Sequence, residues 1–179
     1  MGTIFIAGIY GVGKSTLCQQ LSEQLKVPAF SAGDLISAIN GERYGANKVV
    51  ADKENNQNIL ALQVKKLLKA SPRILLAGHF CILDKNNNVD CLPESVFSDL
   101  KIESILLLEA ATSRIIQNLS GRDKKEYTQQ QILALQETER EKAREISRKL
   151  GCESYLHNML FNETDVQRCL CYLKKEGEL

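Results

Sequence analysis

Short apolar runs and helical patterns alternate along the whole chain. Residues 3–7, 27–30, 73–78, 104–108 and 152–157 are each strand-length apolar stretches, the second opened by Pro28. The run Ile74-Leu75-Leu76-Ala77 is apolar without alternation, as a parallel strand covered on both faces is. Between these runs the apolar positions take a helical period. Residues 14–25 carry Leu17, Leu21 and Leu25 on one face, and a further helix is predicted to begin near Asp34. A longer one over 54–70 turns Leu60, Val64, Leu67 and Leu68 inward and is stopped by Ser71-Pro72. Pro93 starts a short helix through Leu100, and residues 112–119 form another ended by Ser120-Gly121. Thr128 with Gln131 makes a capping box for a long helix that stops at Gly151, and residues 163–175 close the chain. Asn86, Asn87 and Asn88 mark a polar loop. Alternation of this kind predicts βαβ units around a parallel sheet of five strands.

At 179 residues, 44% hydrophobic and 25% charged, the chain has the size and balance of one α/β domain. A net charge of +1 argues against a surface built to coat a polyanion, so nucleic acid is not indicated as a partner. No apolar run approaches the roughly 20 residues that span a bilayer. Ile6 stands where a myristoylation motif needs Ser or Thr, so no membrane is expected and the chain reads as cytoplasmic. The six cysteines include no C-x-x-C pair, and His79 and His157 lie far from metal-ligand spacing. Six free, mostly buried thiols are the expectation.

The strongest chemical signal is Gly8-Ile9-Tyr10-Gly11-Val12-Gly13-Lys14-Ser15, which matches G-x-x-x-x-G-K-[ST] between an apolar strand and an amphipathic helix. Gly8, Gly11 and Gly13 let the backbone curl until successive N–H groups, that of Val12 among them, point inward as an anion nest. The helix that begins at Lys14 adds its positive end, bringing Thr16 to the same site. Lys14, expected at a solvent-facing loop end, can reach the β- and γ-phosphates, and the Ser15 hydroxyl can ligate Mg2+. This is a site for ATP or GTP.

Beyond the loop, the chain resembles small P-loop nucleoside monophosphate kinases, most closely the archaeal type of adenylate kinase. Ser31-Ala32-Gly33-Asp34 is similar to the Thr-Gly-Asp that opens the acceptor helix there, so Ser31, Gly33 and Asp34 are implied acceptor residues; Asp34 also fits a helix N-cap. Ser37 stands where many relatives have an arginine for the acceptor phosphate, which leaves Arg43, Lys48 or Lys53 to take that role. Ala77-Gly78-His79 resembles the end of the family's third strand, with His79 matching a family histidine and Ala77 replacing an aspartate. Gly121-Arg122-Asp123 looks like the lid, near residues 119–130, and implies Arg122, with Arg114 on the preceding helix, as a clamp on the moving phosphoryl group. Gln136 and Arg140 match a pair four apart on the next helix, and Arg144 continues that stripe; pairing of these arginines with Glu137, Glu141 and Glu145 is the plainer alternative. Asn158 sits where such folds place a polar residue near the base.

The resemblance implies a P-loop NTPase three-layer sandwich, its five-stranded parallel sheet in the order 2-3-1-4-5 with helices on both faces. Residues 31–70 would form the acceptor-binding helical segment. Lys14, Arg122 and Arg140 are the expected catalytic residues, with ATP (or GTP) and Mg2+ as cofactors and a small-molecule acceptor, foremost a nucleoside monophosphate. The rival reading, favoured by Ala77 and Ser37, is a nucleotide-dependent switch or ATPase acting on a protein or RNA partner. A third is a small kinase for a non-nucleotide acceptor.

Overall fold

The central strand forms where the chain is apolar on both faces. In the computed structural model, which describes residues 2–40, 53–84, 86–121 and 126–174, β1 (Gly2–Ala7) is buried at every position. It lies between two other apolar strands, β3 (Arg73–Ala77) and β6 (Ile102–Glu109), and is parallel to both. β2 (Ala29–Ser31) joins β3 at one edge, and β7 (Glu153–Asn158) joins β6 at the other. The order β2-β3-β1-β6-β7 is the one implied by the resemblance once the strands are counted without the hairpin described below.

The helices cover both faces. α1 (Lys14–Leu25) packs on β1, β2 and β3 and against α7 (Glu163–Lys174). α6 (Gln129–Leu150) packs on β6 and β7 and against α4 (Glu94–Asp99) and α5 (Thr112–Ser120). α2 (Ala32–Asn40) and α3 (Lys53–Ala70) pack on one another beside β2 and β3. α6 begins with the expected capping box, in which Thr128 Oγ1 accepts from Gln131 N at 3.2 Å and Gln131 Oε1 accepts from Thr128 N at 2.9 Å. It ends at Gly151 in the left-handed region, φ 64°.

The strands of one hairpin were not expected, and one expectation is corrected. The polar loop around Asn86–Asn88 is the turn of an antiparallel hairpin, β4 (Cys81–Leu83) and β5 (Val89–Cys91). Asp84 builds that turn, its Oδ1 accepting from the N–H groups of Asn86 and Asn88, both at 2.8 Å. The six thiols are not all free either, because Cys81 and Cys91 face each other across the hairpin with Cα atoms 4.0 Å apart and are joined as a disulfide. Smaller differences lie at element ends: β2 starts at Ala29 and α2 starts at Ala32, two residues before Asp34.

Phe5, Phe80 and Phe97 form an aromatic knot between β1, the hairpin and α4, with ring centroids 4.7 to 5.9 Å apart. Such tilted pairs contribute about 0.5–1.5 kcal/mol each beyond the area they bury. Gly78 makes the knot possible, since a Cβ there would lie 2.7 Å from the Phe5 ring.

Candidate functional site

The phosphate loop follows β1, at the C-terminal edge of the sheet where open α/β folds bind ligands. Gly8 takes φ 143° against Leu108 O, which a Cβ would approach to 2.7 Å, so a side chain is excluded on both counts. Gly13 caps α1 without any side-chain hydrogen bond, which leaves the first N–H groups of that helix for a ligand. Lys14 is not at a solvent-facing end, as expected from the sequence, but 9% exposed. Its Nζ donates to Gly8 O at 2.6 Å and Ile9 O at 2.9 Å, and lies 3.0 Å from His79 Nε2. The ammonium thus bends back over its own loop, for the carbonyls there are the acceptors within reach.

A cavity of about 420 Å³ opens beside the loop. Gly11, Gly13, Lys14, Ser15 and Thr16 line it together with Ser31, Gly33 and His79. Eight residues singled out from the sequence therefore meet in one place. The remaining wall is mostly apolar, from Phe5, Ile36, Leu60, Ile82, Val96 and Phe97, with the amides of Asn56 and Gln57 among it. Ala77 lines it where the resembled family carries an aspartate.

Other candidates lie elsewhere. Val12 is fully buried beneath the loop. Asp34 is exposed in the first turn of α2, and it is Ser31 that caps this helix, accepting from Asp34 N at 3.4 Å. Ser37 turns its hydroxyl onto Gly33 O at 2.8 Å. Arg140 forms a two-pronged pair with Glu109 at 2.5 and 2.7 Å, which raises its pKa further, and Glu137 and Glu141 are not its hydrogen-bond partners. Arg144 is exposed, as is Asn158 at the end of β7. Arg114 stacks over the Phe161 ring at 5.1 Å, and Phe161 in turn lies against Gly13. Arg43, Lys48 and Arg122 lie outside the described residues, as does the Lys53 side chain and the middle of the expected lid.

Sequence reasoning missed three contributors. Tyr10 packs against His79 with the rings tilted and their centroids 4.6 Å apart, and Asn118 Nδ2 donates to Gly11 O at 2.8 Å. The third is Glu139 on α6, 1% exposed. Its carboxylate accepts from Gly8 N at 3.1 Å, from Phe80 N at 2.9 and 3.0 Å, and from Cys81 N at 2.7 Å. Burial pushes its pKa up to about 7, against the opposing pull of the Phe80 N–H, the Lys14 charge and the N–H groups of Cys81 and Gly8. One signal was available: Glu139 falls on the buried stripe Ile132, Leu135, Ala143 and Ile146, where an unpaired acid has no place. Gln136, on the same stripe, fastens both the N–H and the C=O of Ala110 at 3.1 Å.

Among the described residues, no helix is long and apolar enough to cross a membrane, and no three His, Cys, Asp or Glu side chains gather as a metal cluster. The fold is shared with P-loop kinases. A shikimate kinase from Bacteroides thetaiotaomicron superposes with a TM-score of 0.61 at 10% identity, over 98% of this chain and 97% of that one. A sugar kinase from Janibacter sp. HTCC2649 gives 0.58 at 12% identity, over 97% and 94%. A shikimate kinase from Aquifex aeolicus gives 0.58 at 14%, over 97% of each. No curated protein matches the chain by sequence. The family model described as AAA domain matches residues 7–150.

Proposed function

The chain belongs to the AAA domain family, and we propose that it transfers the γ-phosphoryl group of ATP to a small acceptor seated beside its phosphate loop. The observation that carries this reading is the shared cavity of about 420 Å³, lined by Lys14, Ser15 and Thr16 together with Ser31, Gly33, His79 and a mostly apolar wall. A loop serving hydrolysis alone needs only a water, whereas this chamber has the volume of a small-molecule site. Apolar walls also exclude the water that would compete for the phosphoryl group.

In this reading the loop N–H groups and the start of α1 hold the donor phosphates, and Lys14 swings from Gly8 O and Ile9 O to the β- and γ-phosphates. The Ser15 hydroxyl is a hard oxygen of the kind that would hold Mg2+, which when bound would neutralise phosphate charge. The acceptor oxygen forms its bond to the γ-phosphorus as the bridge to the β-phosphate breaks and ADP leaves. Ser31, Gly33 and His79 face the acceptor, and Arg122 and Arg140 supply positive charge to the moving group, Arg140 after release from Glu109. Asp34 acts at one remove, through the helix that Ser31 caps. A nucleoside monophosphate is the first acceptor to test, on the resemblance of Ser31–Asp34, His79, Gln136 and Arg140 to the archaeal type of adenylate kinase. Ala77 favours a second reading, a nucleotide-dependent ATPase that answers to a macromolecular partner, because the acid that usually orders water around the ion is replaced by a methyl group.

The test is ADP release from ATP and Mg2+ against a panel of nucleoside monophosphates, sugars and small alcohols. A phosphotransferase consumes ATP faster with its acceptor and forms one phosphorylated product per ADP. Arg122→Ala then lowers kcat at least about tenfold with little change in ATP affinity, since a clamp on the moving group acts mainly in the transition state. Slow hydrolysis indifferent to every small acceptor sinks the proposal in favour of the second reading.

A further inference from the structure

We infer that Glu139 is the positioning residue that keeps the phosphate loop in its binding shape once Lys14 has left it for the nucleotide. The inference rests on the nucleotide-binding part of the function proposed above. Gly8, the loop's first residue, is held from two sides: its C=O accepts from Lys14 Nζ at 2.6 Å, and its N–H donates to Glu139 at 3.1 Å. Ile9 O is held by Lys14 as well, at 2.9 Å. Phosphates that draw the ammonium away take both lysine bonds with it. Glu139 does not line the cavity and comes from α6, behind the loop, so its bond to Gly8 survives the exchange.

The same carboxylate takes the N–H groups of Phe80 and Cys81, at 2.7 to 3.0 Å. These residues follow His79 directly, and His79 Nε2 lies 3.0 Å from Lys14 Nζ. One buried side chain therefore fixes the spacing between the donor loop and the end of β3 that faces the acceptor. The chemistry suits a carboxylate and nothing else of its size. Once the side chain is ionised, above its raised pKa of about 7, two oxygens accept from three N–H groups in charge-assisted bonds stronger than neutral ones. A glutamine would turn an NH2 group toward those donors. The charge also faces Lys14, whose ammonium offsets it in the empty loop.

A purely structural residue would lower stability without touching nucleotide affinity at matched stability. The comparison is therefore between Glu139→Gln and Ile146→Ala, which opens a cavity on the same helix away from the loop. ATP·Mg2+ affinity is measured by calorimetry at pH 8, where Glu139 is ionised, for the full chain and both variants, with Tm for each. Glu139→Gln is expected to bind ATP·Mg2+ about tenfold or more weaker, the loss that goes with breaking hydrogen bonds to a charged group. Ile146→Ala is expected to keep wild-type affinity despite a comparable drop in Tm. If Glu139→Gln does not fold, Glu139→Asp, which keeps the charge but is one methylene short, takes its place with the same expectation. Unchanged affinity in the folded Glu139 variant, or equal losses in it and Ile146→Ala, overturns the inference and leaves the phosphotransfer reading standing. Wild-type protein that binds no ATP·Mg2+ overturns both.

Discussion

At the scale of single residues, Lys14 and Glu139 are both charged groups taken out of water, and each leads to a measurable outcome. Lys14→Ala removes the cation expected on the phosphates, so ATP affinity and any turnover should be lost. Because the ammonium also satisfies Gly8 O and Ile9 O, the variant should be less stable by about 1–3 kcal/mol. Calorimetry with ATP·Mg2+ and a urea melt read the two effects separately, and wild-type affinity in a folded variant would contradict the assigned site. Glu139 sets a pH dependence. Its pKa in the folded protein, about 7, lies above the ordinary glutamate value of about 4.3, so the native state binds the extra proton between those limits. Stability from this group is fully present below about pH 4 and lost as pH rises through 7, by an amount on the order of 3 kcal/mol. Unfolding free energies at pH 5 and pH 8 should show that fall in the wild type and a flatter profile in Glu139→Gln; identical slopes would place the proton elsewhere. Residue identity alone shows where Lys14 sits in the chain but not which way it bends. Its orientation is decided by the acceptors that the folded loop brings within reach.

At the scale of elements, periodicity carried most of the information. Burial on one helical face or on both faces of a strand leaves a repeating mark, and the ILLA run and the Leu17/Leu21 stripe were legible for that reason. Hairpin β4–β5 left no such mark: its strands are three residues each and carry Asp90 and Val89 half-buried, too short for alternation to show. Glu139 was missed because charge outranked position. Its neighbours Glu137 and Glu141 are exposed, and a run of glutamates reads as a solvated face until the geometry of α6 separates them. The lid expectation also belongs to this scale. α5 ends at Ser120 and α6 starts at Gln129, and the charged segment between them holds Arg122. If that segment closes over phosphates, amide exchange across residues 119–130 should slow on adding a non-hydrolysable ATP analogue with Mg2+. Equal exchange with and without the analogue would remove the lid from the mechanism.

At the scale of the whole molecule, the site is a meeting of distant stretches of chain. The loop follows the first strand, Ser31 and His79 come from the ends of β2 and β3, and Glu139 behind them comes from α6. The sheet order was reachable through resemblance because parallel crossovers restrict the topology to a few choices. The meeting of side chains was not, since it depends on how α6 lies over β6 and the hairpin. The Gly8–Glu139 bond, spanning 131 residues, has a consequence for synthesis. Gly8 precedes Glu139 by 131 residues, so during elongation the phosphate loop is made well before the carboxylate that holds it. Domains mature during elongation as their contacts become available, and contacts of long sequence separation close late. A nascent chain stopped short of α6 carries the complete motif and lacks the carboxylate that bonds to Gly8. If Glu139 shapes the loop as inferred, a chain stopped before α6 should therefore bind ATP·Mg2+ more weakly than the full chain.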